Sequence, residues 1–309
     1  MTPGGVGGGP DATLAAREGA GVVQVSAEVL SNEPVGAYRH LTLVAPGLPE
    51  LARPGQFVAL AVGTPGEHTS AMLLRRSFSI HRVSPQGASG GTVEVVLAAH
   101  GAGTRVLTAL RPGERVDVLG PLGHGFPLPT EPVPCVLVGG GYGSAPLLWL
   151  AEHLRERGCA VEVVLGAATR DRLFGVTASR RVADGVSITT DDGSAGTKGW
   201  VSGVLPDVIT RSGAGVVYAC GPMGMLQAVA EVAAAHDVVA QVAVEEAMAC
   251  GIGICMTCVL PVVGRDGRTT MARSCVEGPV FRGDRVRWEA YADGRCDVPS
   301  DAVGAPVAR

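Results

Sequence analysis

The chain has 309 residues, of which 46% are hydrophobic and 17% charged, with a net charge of −4 and a pI near 6.0. A nucleic-acid-binding protein would show a basic face, and a disordered chain would combine low hydrophobicity with high charge, so neither class fits. Mean hydropathy is +0.28, but Gly, Pro or a charge interrupts every apolar run before the roughly 20 residues of a membrane span. The opening MTPGGVGGGP lacks the basic and apolar stretches of a secretory signal. We therefore expect a cytoplasmic protein without a membrane span or a nucleic-acid partner.

The first half of the chain predicts a tail followed by an antiparallel barrel. Residues 1–19 are Gly-rich without periodicity and predict a disordered tail. Over 20–128, short apolar segments alternate with Pro-Gly turns, which is typical of a small antiparallel barrel. One short helix is predicted at about Thr104–Leu110. The predicted strands are Val22–Leu30, Tyr38–Val44, Gln56–Val62, Leu74–Val83, Thr92–Leu97 and Arg115–Leu119.

The pattern changes after the proline-rich linker at 127–134. Residues 132–243 alternate strands with helices, which indicates a parallel sheet covered by helices on both faces. Helices are predicted at Pro146–Arg157 and at about Gly224–His236. The predicted strands are Cys135–Val138, Val161–Leu165, Val186–Thr190 and Val216–Cys220. A cysteine segment at 244–290 and a loose tail at 291–309 complete the predicted organisation.

Four of the eight cysteines fall in the cysteine segment. In a chain of this length without an export signal, clustered cysteines favour a metal or redox site over disulfides. Cys250, Cys255, Cys258 and Cys275 have the C-x4-C-x2-C…C spacing of plant-type two-iron clusters. The alternative is a zinc site, which is commonly built from paired C-x2-C units, whereas only one such unit is present.

Two motifs in the barrel region predict a flavin site. Arg76, Phe78 and Ser79 combine a cation, an aromatic ring and a hydroxyl that could pair with pyrophosphate, pack on the isoalloxazine and bond the ring or ribityl chain. The alternative is an ordinary edge strand with surface arginines. A glycine turn opens the short helix, where N–H groups could bind a phosphate. Its residues are His100, Gly101, Gly103 and Thr104.

Three loops after predicted parallel strands indicate a dinucleotide site, because ligands bind at the carboxyl ends of strands in such sheets. Glycines there would let a pyrophosphate approach the backbone. Cys220 would lie near the nicotinamide, whereas Trp149, Trp200 and Trp288 are expected to serve packing. The candidate residues are Gly139, Gly140, Gly141, Gly143, Asp191, Asp192, Cys220, Gly221, Pro222 and Met223.

Together these motifs resemble the ferredoxin reductase superfamily and, within it, the electron-transfer subunits of NAD-linked dihydroorotate dehydrogenases. Arg76, Phe78 and Ser79 match the flavin motif, and the sequences at 248–255 and 275–281 match the cluster segment. The resemblance covers about residues 21–288. It implies a flavin-binding antiparallel barrel, a nicotinamide-binding parallel-sheet domain and a small C-terminal [2Fe-2S] segment.

The resemblance also implies a function. FAD, a [2Fe-2S] cluster and NAD would be the cofactors, and an FMN-containing dihydroorotate dehydrogenase catalytic subunit the partner, in a heterotetramer serving pyrimidine (UMP) biosynthesis. Electrons would pass from the partner's FMN through the cluster and FAD to NAD+. Dihydroorotate oxidation would belong to the partner, so no catalytic residue is assigned here.

Alternatives remain at this point. The chain could be a related reductase subunit of the sulfide dehydrogenase or ferredoxin–NADP transhydrogenase type, or a non-enzymatic electron carrier. Arg170 and Arg172 follow a predicted strand and could bind the 2′-phosphate of NADP, although the resemblance favours NAD.

Overall fold

The structure is a computed structural model that describes residues 14–15, 21–63, 72–85, 90–292 and 295–303. The expected tail at 1–19 lies outside the described residues, except for Leu14–Ala15, which form strand β1. This strand pairs antiparallel with β8, Leu128–Pro129. Residues 304–309 of the expected C-terminal tail also lie outside the described part.

The predicted barrel is confirmed. Six strands close in the order β2-β3-β6-β5-β4-β7. A helix, α1, follows β6 and spans Ala102–Thr108, two residues earlier than predicted. The strands are β2 Val23–Val35, β3 Tyr38–Val44, β4 Phe57–Leu60, β5 Arg76–Ser84, β6 Thr92–Leu97 and β7 Arg115–Leu122.

Alternation along the strands builds the barrel core. Leu41 and Leu43 of β3 and Val93 and Val95 of β6 are fully buried, whereas the residues between them are only partly covered. Successive side chains of a strand point to opposite sheet faces, so every second position faces the barrel interior. The period of two in the sequence therefore specifies which face closes on the core.

The second predicted domain is also confirmed as a parallel sheet with helices. Its strand order is β12-β11-β10-β9-β13-β14, with β10 and β9 at the centre. The strands are β9 Cys135–Gly140, β10 Val161–Ala167, β11 Gly185–Thr190, β12 Thr197–Lys198, β13 Val216–Cys220 and β14 Val239–Ala243. The helices are α2 Ala145–Glu156, α3 Val176–Val182, α4 Val201–Ser212 and α5 Met223–Ala235.

The cysteine segment is joined to this sheet. Its strands β15, Val259–Val263, and β16, Thr269–Arg273, form an antiparallel hairpin. A third strand, β17 Val280–Arg282, pairs antiparallel with β14 and becomes the seventh strand of the large sheet. Backbone hydrogen bonds thus fasten the cysteine-bearing loops to the nucleotide-binding half.

The expectation of a loose tail from residue 291 needs correction over 291–303. Tyr291–Ala292 and Arg295–Cys296 form a two-stranded hairpin, β18 and β19. Farther on, Ala302 is buried and forms a β-bridge with Thr269, whose hydroxyl also donates to Asp301 at 3.0 Å. Contacts with Thr269 in the β15–β16 hairpin and with Arg287, whose guanidinium lies 2.8 Å from the Asp301 carboxylate, hold the end of this segment. Local composition carries no sign of these contacts.

Helix α2 connects the two halves of the molecule. It packs along β5, and the indole of Trp149 joins the buried residues of the barrel core. Burial of this large side chain confirms its predicted packing role. No helix in the described ranges has the length and apolar character needed to cross a membrane.

Candidate functional site

The cysteine loop, residues 250–258, brings its thiols toward Cys275, which follows β16. Gly251 and Gly253 adopt φ of +72° and +83°, a left-handed conformation that glycine accepts without a steric cost. This path turns the backbone N–H groups of Ile252 and Cys255 toward the Sγ of Cys250, each at an N···S distance of 3.5 Å. The loop therefore wraps around a position where sulfur charge is stabilised by backbone dipoles.

The four thiols differ in environment. Cys258 and Cys275 are buried, whereas Cys255 is exposed. A hydrogen bond with the Thr257 side chain, followed by backbone hydrogen bonds, lowers the pKa of the Cys255 thiol to about 6. Burial raises the pKa of Cys275 to about 12, with Cys258 adding to the effect. A metal would supply the positive charge that the buried thiol needs to ionise.

The sulfur arrangement fits two irons better than one zinc ion. Cys250 contributes to lowering the pKa of the Cys255 thiol, and Cys258 contributes to raising that of Cys275, so the thiols group as Cys250 with Cys255 and Cys258 with Cys275. In the described residues, no three of these sulfurs lie within 4.8 Å of one another. A tetrahedral zinc ion with four thiolates would bring all four to about 3.8 Å. Two separated pairs instead suit two metal ions, each holding two cysteines, which is the ligand set of a two-iron cluster.

A cavity of about 460 Å³ lies between β5, α1 and the start of the cysteine segment. It collects five residues from the two predicted flavin motifs. Three residues outside those motifs, Phe57, Tyr142 and Met248, also line it. The motif residues that line the cavity are Arg76, Phe78, Ser79, His100 and Thr104.

The two glycines of the predicted phosphate turn lie outside the cavity wall. The N–H of Gly101 is already bonded to Thr104 Oγ1 at 2.9 Å. Gly103 lies against the guanidinium of Arg76, where a Cβ would come within 2.7 Å of Arg76 Nε. Gly103 thus lets the helix approach the arginine, while Gly101 has open space around it. The motif residues that line the cavity do so with their side chains.

A second cavity, of about 540 Å³, lies at the carboxyl ends of the parallel strands, as predicted for such a sheet. Among the predicted nucleotide residues, Gly140, Gly141, Asp191 and Pro222 line it. Gly143 lines the flavin-motif cavity instead. The remaining predicted residues, which line neither cavity, are Gly139, Asp192, Cys220, Gly221 and Met223.

These remaining residues support the cavity from behind. A Cβ on Gly139 would lie 2.5 Å from Ser144 Cβ, and one on Gly143 would lie 2.7 Å from the Cys220 carbonyl oxygen. Gly221 approaches Gly140 in the same way. Burial raises the pKa of the Cys220 thiol well above its usual value. Close contact between the two loops accounts for Gly143 and Gly221, whereas Gly139 packs within its own loop and Met223 packs against the apolar core of the sheet.

Asp192 shapes the turn that presents Asp191. Its carboxylate accepts hydrogen bonds from the Ser194 N–H at 2.9 Å and from the Ser194 hydroxyl at 2.6 Å, which lowers the pKa of Asp192. Arg170 is also engaged, because its backbone N–H donates to Ser194 Oγ at 2.8 Å. Of the two arginines considered for a 2′-phosphate, only Arg172 lines the cavity.

Sequence reasoning missed several residues of the nucleotide cavity. Trp200, expected to pack, is 74% exposed and lines the opening. Tyr38 and Tyr142 lie together with ring centroids 5.4 Å apart and also line it. Burial raises the pKa of Tyr142 to about 12. Trp200 and Tyr142 carried a signal in the sequence, since Trp200 stands beside Gly199, which follows β12, and Tyr142 lies within the predicted glycine loop. Tyr38 comes from β3, a distant element of the barrel.

Shared residues connect the three sites in a row. Tyr142 and Glu245 line both cavities. Phe57 lines the flavin-motif cavity and also packs in one apolar cluster with Cys258 and Cys275. Each pair of neighbouring sites is therefore separated by a single layer of side chains.

Solved structures with this architecture include reductases. The NADH-dependent reduced ferredoxin–NADP oxidoreductase, studied for flavin-based electron bifurcation, is similar with a TM-score of 0.72 and 29% identity, covering 86% of this chain and 91% of that one. A ferredoxin–NADP+ reductase from Neisseria gonorrhoeae with bound FAD and NADP shares the fold, with a TM-score of 0.54 and 17% identity over 70% of this chain and 92% of that chain. Fold and site together define a ferredoxin reductase-type protein with an added iron–sulfur segment.

Sequence relatives define the class more narrowly. The profile of the iron–sulfur cluster binding domain of dihydroorotate dehydrogenase B matches residues 245–287. The dihydroorotate dehydrogenase B (NAD(+)) electron transfer subunit of Desulforamulus reducens is 38% identical, covering 79% of this chain and 90% of that protein. Its counterpart from Geobacillus thermodenitrificans is 40% identical, covering 80% and 91%. The chain belongs to this family of electron transfer subunits, as the resemblance in its motifs predicted.

Proposed function

We propose that the protein is the electron transfer subunit of a dihydroorotate dehydrogenase, which carries electrons from an FMN-containing catalytic partner to NAD+ in the cytoplasm, for pyrimidine biosynthesis. The observation that carries the proposal is the row of three sites separated by Phe57 on one side and by Tyr142 and Glu245 on the other. When bound, a [2Fe-2S] cluster exchanges single electrons, FAD converts between single electrons and pairs, and NAD+ accepts the pair as hydride.

In this proposal the cysteines hold the cluster as two pairs, Cys250 with Cys255 and Cys258 with Cys275. The buried pair faces the flavin through Phe57, and the more exposed pair faces outward. Ile252, Ile254 and Met256 of the same loop are 46%, 76% and 53% exposed. Large exposed apolar side chains beside a redox site suit a surface that a partner covers.

The proposed flavin contacts divide among three side chains. Arg76 pairs with the pyrophosphate, Phe78 packs on the isoalloxazine, and Ser79 bonds the ring or ribityl chain. His100 and Thr104 line the same cavity. Gly103 acts indirectly, because it lets α1 lie against Arg76, and the Gly101 N–H donates to Thr104 Oγ1 at the start of α1.

The proposed nucleotide contacts lie across the strand ends. Gly140 and Gly141 admit the pyrophosphate to the backbone, and Pro222 shapes the facing loop. The Asp191 carboxylate suits a ribose hydroxyl and disfavours a 2′-phosphate, which supports NAD over NADP. Gly143, Cys220 and Gly221 bring the two loops into contact, and Gly139 packs within its own loop. Met223 packs against the core of the sheet, and Asp192 holds the turn of Asp191. Comparing NADH and NADPH oxidation rates tests the preference, and a higher rate with NADPH would reverse it.

A second candidate function has one specific observation in its favour. A structural neighbour at 29% identity is an NADH-dependent reduced ferredoxin–NADP oxidoreductase. Subunits of the sulfide dehydrogenase or transhydrogenase type therefore stay as the alternative.

The decisive experiment purifies the protein together with its natural partner and supplies dihydroorotate and NAD+ without oxygen. We expect a flavin and iron–sulfur spectrum, FMN in the partner, a heterotetramer, and NADH formation that depends on both subunits. NADH-driven dye reduction without any dihydroorotate-dependent NADH formation would favour the alternative. A preparation that contains zinc in place of iron and sulfide would overturn both.

A further inference from the structure

A group of metal-binding side chains lies on the barrel apart from both cavities and the cysteine loop. It consists of His40 on β3, His81 on β5 and Glu94 on β6. One nitrogen or oxygen atom from each of the three lies within 4.8 Å of the others. His40 Nε2 is 2.8 Å from Glu94 Oε2. Within the described part of the chain, no other histidines, cysteines or carboxylates form such a group of three.

Strand register brings these side chains to one face. Thr42 pairs with Glu94 and His40 with Val96, so His40 and Glu94 are diagonal neighbours on the outer side of the barrel. The register of β5 against β6 shifts between Ile80 and Arg82. At this bulge His81 and Arg82 both oppose Glu94. Bulges re-aim side chains and are frequent beside functional sites.

The surroundings of His81 prepare one ring nitrogen for a cation. The ring is only 7% exposed, and its Nδ1 lies 2.7 Å from the Ala145 carbonyl oxygen. Because a carbonyl can only accept, Nδ1 carries the hydrogen and Nε2 keeps its lone pair. A bond from the second nitrogen to a backbone carbonyl is the usual way in which proteins orient a metal-binding histidine. Burial also lowers the pKa of His81, which favours the neutral ring.

The neighbouring charge is compensated. Arg82 would oppose a cation, but its guanidinium bonds to the Glu152 carboxylate of α2. His40 and Glu94 keep 27% and 19% of their side-chain surface exposed, so water can reach the open side of the group. Two imidazoles, one carboxylate and a water molecule complete a four-coordinate donor set.

We propose that His40, His81 and Glu94 bind a divalent cation of the zinc class. In the cation-free protein the His40–Glu94 hydrogen bond occupies the position that the cation would take. Imidazole-rich donor sets prefer zinc and its neighbours to magnesium or calcium, which need oxygen ligands. The bound cation would fasten β3, β5 and β6 to the first residue of α2, directly after the 141–144 loop between the two cavities.

Equilibrium dialysis of the cluster- and flavin-loaded protein against zinc chloride, followed by elemental analysis, tests the site. Wild-type protein should retain one zinc per chain with unchanged iron content. Glu94→Gln and His40→Gln should each weaken zinc binding at least about tenfold. His153→Gln is the matched control, because it removes another histidine–glutamate pair, 3.5 Å from Glu156, that has no third ligand.

Thermal unfolding gives a second readout that does not depend on activity. Zinc should raise the unfolding midpoint of the wild type and of His153→Gln, but not that of Glu94→Gln, since only a folded site binds the cation. Unfolding midpoints without zinc show whether the variants fold. If Glu94→Gln does not fold, His40→Gln, at a partly exposed position, decides whether the site binds zinc. Zinc retention equal in wild type and variant, no zinc retained by the wild type, or equal retention of magnesium would overturn the proposal.

Discussion

Two glycine-rich regions of the molecule use glycine for opposite purposes. In the cysteine loop, Gly251 and Gly253 adopt positive φ and turn N–H groups toward a sulfur atom. In the nucleotide loops, neither Gly139 nor Gly143 has a positive φ. A Cβ on these residues would nevertheless come within 2.5 and 2.7 Å of neighbouring atoms. The first region needs backbone freedom around a ligand, and the second needs close packing without side chains. The same residue type therefore shapes the cysteine loop in one region and allows close packing of the nucleotide loops in the other.

Removing one of the four clustered thiols should have the largest effect. Cys275→Ser deletes one buried ligand of the proposed cluster, so we expect iron and sulfide to fall to background and dihydroorotate-driven NADH formation to stop. NADH-driven dye reduction should persist, because the two cavities do not include Cys275. Cys296→Ser, at the C-terminal hairpin, is the control and should keep the cluster. Retention of a full cluster in Cys275→Ser would remove that residue from the ligand set.

Adding a methyl group where the two nucleotide loops touch should lower stability and nucleotide affinity. Gly143→Ala places a methyl group 2.7 Å from a backbone oxygen, and overpacking of this kind costs about 1–3 kcal/mol in the free energy of unfolding. Gly203→Ala in α4 meets no atom within 4 Å and should instead stabilise the helix by up to about 1 kcal/mol. Urea unfolding and the KM for NADH measure both. Equal stabilities for the two variants would refute the close contact.

Two alanine substitutions in the cysteine segment separate the effect of backbone conformation from the effect of steric space. Gly253→Ala combines a positive φ with a Cβ only 2.5 Å from Val276 Cγ2. Gly267→Ala shares the positive φ but has open space around it, so it should lose only about 1–2 kcal/mol in the free energy of unfolding. We expect reduced iron and sulfide per chain in the first variant and normal content in the second. Cluster loss in both would show that general destabilisation suffices.

The smallest expected effect concerns the residue shared by the cavities. Enclosure by protein atoms raises the pKa of the Glu245 carboxyl above its ordinary 4.5. The folded state then holds a proton that the unfolded state releases, so wild-type stability falls as the pH rises above 4.5. Glu245→Gln removes this loss and should be the more stable protein near neutral pH, by a small margin because solvent reaches the side chain. The stability difference, followed by urea unfolding against pH, should vanish in acid; a constant difference would contradict the raised pKa.

How much could be predicted from the sequence differed between these two regions. The cysteine loop is continuous along the chain, so its ligands and its two-iron character could be predicted from spacing alone. The nucleotide cavity is assembled from the ends of several strands, so the predicted loops lie at it, but several residues within them do not line it. Tyr38 and Glu245 reach the cavity from outside those loops, and no local sequence pattern indicates this. The expectation of a loose C-terminal tail was wrong for 291–292 and 295–303 for the same reason, since contacts with Thr269 and Arg287 hold the end of that segment.

The features that the sequence determined by itself are local. They are the alternation of apolar and polar residues in the barrel strands, the repeated strand–loop–helix order of a parallel sheet, and four cysteines at a diagnostic spacing. Such features depend on neighbours within a few residues. Only the tertiary structure decided that β17 would extend the large sheet, that Phe57 would lie between the cysteines and the flavin-motif cavity, and that a bulge would bring His81 to His40 and Glu94. These depend on strand pairing between residues far apart in the chain, where register, not composition, chooses the contacts.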